Sequence, residues 1–566
     1  MNWKINRLIV RLRSMRRYSN QKNIAFRVLV WYNKGKEIID KGERPMPTLD
    51  WIGKDKVINH HLEVPYRVLE RQYSFDEAGQ KSEDNGSENM VIHGDNLSAL
   101  KSLLPQYEGK IKCIYIDPPY NTGNEGWVYN DNVNDPQIKK WLGKVVGSES
   151  EDLSRYDKWL CMMYPRLKLL HRLLADDGVI FISIDDIEVT YLRLIMDEIF
   201  GKSKFIAQFI WKSRQNKDNR NITNVSIDHE YVLCYGSKLR GCQRKLDQYK
   251  NPDNDPRGLW TSANMAGLAT AEARPNLHYD LVNPNTGINY GRPSKGWRYD
   301  RNTMARLIAE DRILWPSTPS GRPRKKQFLS ELTAEYTGYS SIIGDSFFTR
   351  DGTNEQIQIF GKLCFDFPKS SGIVQELIEQ ATDSNSIILD SFAGSGTTAH
   401  AVLNMNQKDG GNRKFILIEM CDYAESITAE RVKRVIQGYG SGKKAMKGTG
   451  GNFSYYELGE KLLDGEYLNE AVPISEIRQY VYFTETKERV KENSEEPYQL
   501  GVYLDTAYYF YYERDAITTL DRGFLHEIKT KANAYVIYAD RCLLSDAELE
   551  KYHITFKKIP RDITRL

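Results

Sequence analysis

The sequence predicts an α/β protein whose parallel sheet is interrupted by a long irregular insertion. Short apolar segments alternate with segments of helical periodicity, a pattern typical of parallel strands that helices cover on both faces. This alternation stops near residue 205 and resumes near residue 350. The stretch between these points is rich in Asn, Arg, Gly and Pro, and its apolar runs are short, which indicates an inserted module.

Each predicted strand ends at a polar or glycine-containing turn, and a helical segment follows most of them. The predicted strands are 90–93, 112–116, 179–184, 386–390 and 414–419. The predicted helices are 96–104, 157–174, 372–380, 397–405 and 424–436. Polar residues 76–89 indicate a loop, and glycine-rich residues 437–452 indicate a flexible linker before a tyrosine-rich tail.

Composition excludes several classes of protein. The 566 residues suffice for three or four domains, and the 40% hydrophobic and 27% charged fractions are typical of a soluble globular protein. The mean hydropathy is −0.58, and no run reaches the ~18 apolar residues of a membrane helix. The seven cysteines form no CxxC pair, which argues against a zinc ribbon or disulfide scaffold, predicts no metal site and favours a reducing cytoplasm.

Positive charge is concentrated in two regions. Residues 1–36 contain ten Lys or Arg and no acidic residue, while residues 201–350 contain 24 basic and 14 acidic residues. A basic region in a protein of net charge +3 suggests a surface that binds a polyanion, although a solvated basic face fits the charge equally well. The candidate contacts there are Arg324, Lys325 and Lys326, with aromatic surface from Trp211, Trp260, Trp297 and Trp315.

The tetrapeptide Asp117-Pro118-Pro119-Tyr120 directly follows the strand 112–116. Open α/β sheets bind ligands at the carboxyl ends of their strands. The two prolines fix φ and donate no backbone hydrogen bond, so they hold a rigid turn. Asp117 and the Pro118 carbonyl are two acceptors for the hydrogens of an NH2 group, and Tyr120 offers a ring for stacking. This set suits a planar group that carries an amine.

A second motif, Asp390-Ser391-Phe392-Ala393-Gly394-Ser395-Gly396-Thr397-Thr398, combines a strand end, a glycine turn and a helix start. Glycines let a ligand approach the backbone, and a helix N-terminus favours polar or anionic groups. The motif lacks the third glycine of a dinucleotide site and the lysine of a P-loop. Glu419 ends the next strand and suits ribose hydroxyls. Together these features indicate a nucleoside-bearing cofactor without a pyrophosphate.

Taken together, the two motifs resemble those of the amino-methylating DNA methyltransferases, which use S-adenosyl-L-methionine. Asp117 precedes Phe392 by 275 residues, which is the permuted order of the β class of that family. Further segments resemble the modification (Mod) subunits of type III restriction–modification systems. These segments are 47–70, 94–103, 109–124, 228–236, 365–370, 390–402 and 556–566.

The resemblance implies a permuted, Rossmann-like methyltransferase sheet with an inserted target-recognition module and a C-terminal α+β domain. The expected divisions are a basic N-terminal arm (1–46), a first methyltransferase part (47–204), the recognition insert (205–350), a second methyltransferase part (351–440) and a C-terminal partner or dimer domain (453–566).

The resemblance also implies roles for individual residues. Within Asp117-Pro118-Pro119-Tyr120, the first two residues would hydrogen-bond the target amine and Tyr120 would stack on the base. The cofactor would contact Phe392, Gly394, Gly396 and Thr397, with Asp390 beneath, Glu419 at the ribose, Lys369 near the methionine and Asp95 beside the adenine. For Asp95 the role of a helix cap fits equally well.

The function implied is transfer of a methyl group to the N6 amine of adenine in DNA, by the modification and recognition subunit of a type III system. The implied partners are double-stranded DNA, a helicase–nuclease restriction subunit and a second copy of the chain, in a bacterial cytoplasm. The sequence lacks a Walker A motif, so DNA cleavage would belong to the partner. Two alternatives stay open: an N4-cytosine DNA methyltransferase, and a DNA-recognition subunit with silent chemistry.

Overall fold

An eleven-stranded sheet, whose strands lie between Arg67 and Lys461, is the centre of the compact unit that begins at Asp50. The structure is a computed structural model that describes residues 48–120, 155–217, 224–488, 490 and 496–561, so the expected basic arm 1–46 lies outside it. The strands of the sheet are β1 (Arg67–Asp76), β2 (Gly79–Lys81), β3 (Met90–His93), β4 (Ile111–Ile116), β5 (Leu174–Ile184), β6 (Phe205–Trp211), β7 (Glu230–Gly236), β8 (Ile342–Ile343), β9 (Ile387–Asp390), β10 (Lys414–Glu419) and β11 (Asn452–Lys461).

The strand order is β8-β6-β7-β5-β4-β9-β10-β3-β11-β1-β2. The six central strands, from β5 to β11 in this order, pair in parallel. Antiparallel pairs flank them on both sides, at β5–β7–β6 and at β11–β1–β2. The central strands β4 and β10 are apolar along nearly their whole length and almost fully buried, as expected of strands covered on both faces. The predicted α/β class is confirmed.

In the described parts of the chain, helices of eight or more residues alternate with the strands of the main sheet, and two shorter ones, Lys54–Val57 and His60–Glu63, precede β1. The helices that alternate with the strands are α1 (Asn96–Tyr107), α2 (Arg155–Leu173), α3 (Val189–Met196), α4 (Thr349–Phe360), α5 (Ser371–Ala381), α6 (Thr397–Asp409) and α7 (Glu430–Gln437). Local capping sets where several of them begin, because helix ends leave backbone groups unpaired. The Asp95 side chain accepts from Ser98 N at the start of α1, and the Ser370 side chain accepts from Gly372 N at the start of α5.

The main sheet extends into the region that the sequence assigned to the recognition insert. Strands β6, β7 and β8 lie between residues 205 and 350 but belong to the eleven-stranded sheet. Their apolar side chains, among them Phe209 and Val232, join the core cluster of the sheet. The sequence analysis missed these strands, because three short apolar runs contribute little to the composition of a long polar stretch.

Between β7 and β8 lies a smaller unit, called here the insert module (residues 242–337). It contains a three-stranded sheet of Trp260–Asn264, Ile313–Leu314 and Arg324–Phe328, and a helix at Arg301–Ala309. Its own core is built on Met265, Tyr279, Leu281, Trp297 and Met304. Two of the tryptophans predicted to offer aromatic surface are therefore core residues, since Trp211 is 1% exposed in the main sheet and Trp297 is 2% exposed here.

The predicted basic patch is wrong at Lys326. Its side chain is buried in the insert module, and its Nζ lies 2.6 Å from Asp253 Oδ2 and 3.2 Å from Asp255 Oδ2. A lysine enclosed by carboxylates does not present its charge to a phosphate. Arg324 is exposed and donates to Ser262, and Lys325 is partly exposed, so these two residues stay available.

The C-terminal region begins inside the main sheet. Strand β11 lies between β3 and β1, so the expected division at residue 453 would cut through the sheet. Part of the predicted linker also forms structure, since Gly438–Tyr439 pairs with Met446–Lys447.

Beyond β11 lie helices at Ile474–Thr486, Arg522–Glu527 and Asp546–Lys551. A four-stranded sheet of Gln499–Tyr503, Thr506–Phe510, Ala534–Ala539 and Ile554–Lys558 accompanies them. None of the helices in the described parts of the chain has the length and apolar character needed to cross a bilayer.

Lys326→Ala is expected to lower the melting temperature by roughly 3 °C or more, because it leaves Asp253 and Asp255 facing each other without their shared cation. Thermal unfolding followed by circular dichroism measures this shift. Arg322→Ala removes an exposed basic side chain from the same segment and serves as the control. Equal melting temperatures for the two variants would contradict the structural role of Lys326.

Candidate functional site

Parallel pairing brings the two predicted motifs to the same edge of the sheet. In the β4–β9 pair, Cys113 lies opposite Ile388 and Ile114 lies opposite Leu389. If the same register continues past the ends of the two strands, Asp117 lies opposite Phe392. Residues 275 positions apart in the chain therefore leave adjacent strands at the same height, where open α/β sheets bind ligands.

The Asp117-Pro118-Pro119-Tyr120 turn is held from two sides. Trp159 Nε1, from α2, donates to the Pro119 carbonyl at 2.7 Å. The Tyr120 hydroxyl donates to Glu230 Oε2 at 2.9 Å, and Glu230 is the first residue of β7. These two contacts fix the turn and the ring of Tyr120, so the arrangement is set before any ligand enters.

Lys369 connects the two motifs. Its Nζ lies 2.8 Å from Asp117 Oδ2 and 3.5 Å from Glu230 Oε2, and its carbonyl accepts from Thr397 Oγ1 at 3.3 Å. The same Nζ lies 4.8 Å from the centre of the Tyr120 ring, within range of a cation–π contact. The sequence analysis placed Lys369 near a cofactor, and the structure directs its ammonium to the acceptor side of the site.

Burial and neighbouring charges shift the pKa values of Asp117 and Lys369 in opposite directions. Burial raises the pKa of Asp117, and the ammonium of Lys369 acts against that rise. For Lys369, burial lowers the pKa, but the carboxylates of Asp117 and Glu230 outweigh burial and raise it well above its usual value. The Lys369 side chain is 10% exposed and those of Asp117 and Glu230 are 24% and 19% exposed, so water reaches the carboxylates more than the cation.

The glycine turn is closed by hydrogen bonds to its own backbone. Gly394 N donates to Glu419 Oε2 at 2.8 Å, and the Thr428 hydroxyl donates to the Gly394 carbonyl. Gly394 has φ +51°, and a Cβ there would lie 3.0 Å from the ring of Phe365. Glycine is needed here because the turn passes directly under that ring.

Two buried carboxylates support this turn. Asp390 accepts from Phe392 N at 3.0 Å and from the hydroxyl of Thr398, while burial raises its pKa to about 7. Glu419 accepts from Cys421 N at 3.0 Å through its second oxygen, and burial raises its pKa as well. Each Glu419 oxygen therefore has one backbone donor, and the side chains of Cys421 and Tyr423 also hydrogen-bond this carboxylate.

A buried ion pair connects the glycine turn to the segment that carries Lys369. Arg431, which is fully buried, donates to Ser395 Oγ and Thr397 Oγ1 at 2.9 Å each. Its other terminal nitrogen lies 2.9 Å from Glu355 Oε2. Glu355 in turn accepts from Ser371 N at the start of α5, two residues after Lys369. One carboxylate and one guanidinium therefore set the spacing of the two segments.

Asp95 lies at the same edge, next to the end of β10. Gly94 N donates to the Glu419 carbonyl at 3.0 Å, and Asn96 Nδ2 donates to the Ser391 carbonyl at 3.2 Å. The Asp95 side chain caps α1 and lies 3.3 Å from Arg166 Nη2. The structure thus brings all twelve predicted site residues to one edge of the sheet, whereas their roles stay predictions.

Several residues of the site were not predicted individually. Glu230 and Phe365 lie in segments that resemble the Mod subunits, 228–236 and 365–370, so that resemblance was their only signal. Trp159 sits within an ordinary amphipathic helix. Arg431 and Glu355 carry no local signal, because their partners lie far away along the chain.

The model of the N6_N4_Mtase family, described as DNA methylase, matches residues 111–430, which include both motifs and everything between them. This chain belongs to that family. Membership of this family agrees with the two motifs, with their order in the chain and with their position at one edge of the sheet.

Curated relatives are similar over much of the chain. The StyLTI Mod subunit of a type III restriction–modification enzyme from Salmonella typhimurium is 32% identical over 421 residues, 68% of this chain and 63% of that protein. The EcoP15I Mod subunit from Escherichia coli is 30% identical over 66% of this chain and 64% of that protein. The alignments therefore span less than two thirds of these relatives. The type II methyltransferase M.KpnI from Klebsiella pneumoniae is 34% identical over 62% of this chain and 84% of that protein.

Solved structures show a more distant likeness. A putative DNA modification methylase from Thermus thermophilus, complexed with S-adenosyl-L-methionine, covers 65% of this chain and 99% of its own at 15% identity, with a TM-score of 0.29. The cytosine-N4-specific PvuII DNA methyltransferase covers 61% of this chain and 86% of its own at 12% identity, with a TM-score of 0.30. Scores at this level carry no weight for the fold or the ligand of this chain.

Glu355→Ala is expected to lower the free energy of unfolding by about 3 kcal/mol, because it leaves the guanidinium of Arg431 buried without its carboxylate. Urea denaturation measures the change. Glu355→Gln keeps an acceptor for Arg431 and should cost less. A Glu355→Ala protein as stable as the parent would contradict the role of this ion pair.

Proposed function

We propose that this protein transfers a methyl group from S-adenosyl-L-methionine to the N6 amine of adenine in double-stranded DNA. One observation carries the proposal: Lys369 bridges an amine-accepting turn and a glycine turn at the same edge of the sheet. A flipped base in the first turn and a cofactor in the second would lie side by side. Membership of the DNA methylase family supports the same reaction.

The acceptor turn suits an exocyclic amine. The lone pair of such an amine is delocalised into the ring, so the nitrogen is a poor nucleophile. Asp117 and the Pro118 carbonyl would orient its two N–H bonds and favour a pyramidal nitrogen whose lone pair points toward the methyl donor. Catalysis then consists mainly of positioning and a preset electrostatic field.

The residues around the glycine turn fit a nucleoside-bearing cofactor. Glu419 ends β10 beside the glycine turn, where its carboxylate would accept hydrogen bonds from ribose hydroxyls in place of the side chains of Cys421 and Tyr423. The rings of Phe365 and Tyr423, 5.5 Å apart, lie beside the turn and offer apolar surface to a planar base. When bound, S-adenosyl-L-methionine supplies a methyl group on a sulfonium, which is the electrophile of the reaction.

The chain needs no nucleophile of its own. Cys113 lies within β4, fully buried, and burial raises the pKa of its thiol, so it is a core residue. The target base must leave the duplex to reach the sheet edge, at a cost of a few kcal/mol. Stacking on the ring of Tyr120, which Glu230 holds in place, would offset part of that cost.

We further propose that the protein is the modification and recognition subunit of a type III restriction–modification system in a bacterial cytoplasm. Similarity to type III Mod subunits supports this assignment. A separate helicase–nuclease subunit would cut DNA, and a second copy of this chain would complete the methylating unit. The insert module, with Arg322 and Arg324 exposed and Lys325 partly exposed, would contact the DNA.

Methylome sequencing of a host that expresses this chain alone tests the function. Methylated adenine at one defined sequence is the expected result. If cytosine is methylated at N4 instead, the substrate is cytosine and not adenine. If the protein binds DNA but no base is modified, it is a recognition subunit without methyltransferase activity.

Asp117→Ala is expected to abolish methyl transfer while cofactor binding survives, because it removes an acceptor of the amine but no group of the glycine turn. Incorporation of labelled methyl groups into DNA and calorimetric titration with the cofactor measure the two properties. Normal incorporation by this variant would refute the role of Asp117.

Neutralising Arg322, Arg324 and Lys325 together should make the salt dependence of DNA binding shallower by about one unit of log–log slope for each lost phosphate contact. Fluorescence anisotropy over a range of salt concentrations measures this slope. The control changes Lys443, Lys444 and Lys447, which are exposed and lie outside the insert module, to alanine. Equal slopes for both triple variants would show that Arg322, Arg324 and Lys325 do not contact DNA phosphates.

A further inference from the structure

Glu230 is placed where it can govern both halves of the acceptor site. It is the first residue of β7 and lies opposite Trp211 of β6. Its Oε2 accepts from the Tyr120 hydroxyl at 2.9 Å and lies 3.5 Å from Lys369 Nζ. The ring that would stack on the base and the cation that holds Asp117 therefore share one carboxylate.

In the structure, Lys369 competes with the proposed substrate for Asp117. Its Nζ lies 3.0 Å from Asp117 Oδ1 and 2.8 Å from Oδ2, so both oxygens face a cation. An incoming amine needs one of these oxygens. A buried ammonium that loses its only anion is costly, so Lys369 can release Asp117 only if a second anion is in reach.

Glu230 is that second anion. A movement of about 0.6 Å would bring Lys369 Nζ from 3.5 Å to the 2.9 Å of a charge-assisted hydrogen bond with Glu230 Oε2. The flexible four-carbon stem of lysine permits such a movement.

We propose that Glu230 is a positioning residue that draws Lys369 away from Asp117 when the target base enters, and that it holds the Tyr120 ring for stacking. This inference rests on the proposed methyltransferase function. It predicts that the charge of Glu230 matters for the exchange of Lys369, whereas the contact with the Tyr120 hydroxyl needs only an acceptor atom. The two contributions can be separated by substitution.

The pH dependence distinguishes this role from a purely structural one. Asp117 is faced by Lys369, Glu230, Asp390 and the hydroxyls of Tyr115 and Tyr120. The negative charge of Glu230 adds to the burial that raises the pKa of Asp117. Asp117 must be ionised to accept from the amine, so activity falls at low pH as it takes up a proton. Removing the charge of Glu230 lowers that pKa and moves the acid limb of kcat/KM to lower pH.

Four variants of the full-length chain test the proposal on the DNA site that methylome sequencing defines. Glu230→Gln removes the charge and keeps an acceptor for Tyr120. Glu230→Asp keeps the charge, and Tyr120→Phe removes only the hydroxyl. Glu485→Gln is the matched control, because Glu485 likewise accepts from a tyrosine and a lysine, Tyr538 and Lys557, but lies in the C-terminal region.

Glu230→Gln is expected to lower kcat/KM about 10-fold or more, the cost of losing a hydrogen bond to a charged group, and to shift the acid limb to lower pH. Glu230→Asp should keep the limb of the parent protein and recover part of the rate. Tyr120→Phe should keep most of the activity, and its acid limb should move, if at all, to higher pH, because the Tyr120 hydroxyl lowers the pKa of Asp117. Glu485→Gln should match the parent in both respects.

An unshifted acid limb in Glu230→Gln, or a rate equal to that of the parent, would overturn the inference. A parent protein that methylates no DNA would instead overturn the proposed function, so the two failures are distinguishable. Cofactor binding, measured by calorimetry, should be unchanged in Glu230→Gln, and its loss would also contradict a role confined to the acceptor side.

Discussion

Cys113 and Ile114 of β4 lie opposite Ile388 and Leu389 of β9, and this short parallel ladder joins parts of the chain 275 residues apart. The insert module and four strands of the sheet, β5 to β8, are contained in the loop that the ladder closes. Closing so long a loop costs conformational entropy, and the continuous burial of β4, β9 and β10 offsets that cost. The candidate site exists only because this register sets the two strand ends level.

The site then concentrates ionised groups where water is largely excluded. Lys369 lies between two carboxylates, and Arg431 lies fully buried beneath the glycine turn. Buried ion pairs rarely repay their desolvation in stability, so a protein that keeps two of them at one strand edge keeps them for geometry or chemistry. In this fold, both pairs connect the segment around Lys369 to a neighbouring motif.

Five of the eleven strands of the sheet, β3, β4, β5, β9 and β10, were predicted from the sequence, because parallel strands that are buried on both faces appear as short apolar runs ended by turns. Met90–His93 and Lys414–Glu419 have the predicted bounds. Strands β6, β7 and β8 were missed because their short apolar runs lie within a long polar stretch, and β1, β2 and β11 were missed at the other end of the sheet. Tyr120 and Gly394 could be predicted as site residues because their motifs are local. Glu230 and Arg431 could not, since what makes them part of the site is a contact across more than 30 residues of chain.

The position of β11 between β3 and β1 has a consequence for how this protein can be divided experimentally. A fragment that stops at residue 440 would retain both motifs but would strip β3 and β1 of their shared neighbour. The backbone groups of Met90–His93 would lie open to pairing with other chains, and Tyr73 and Phe75 would lose the aromatic rings of Phe453 and Tyr455. A soluble catalytic fragment should therefore extend at least through Lys461, and an insoluble shorter one would say nothing about its chemistry.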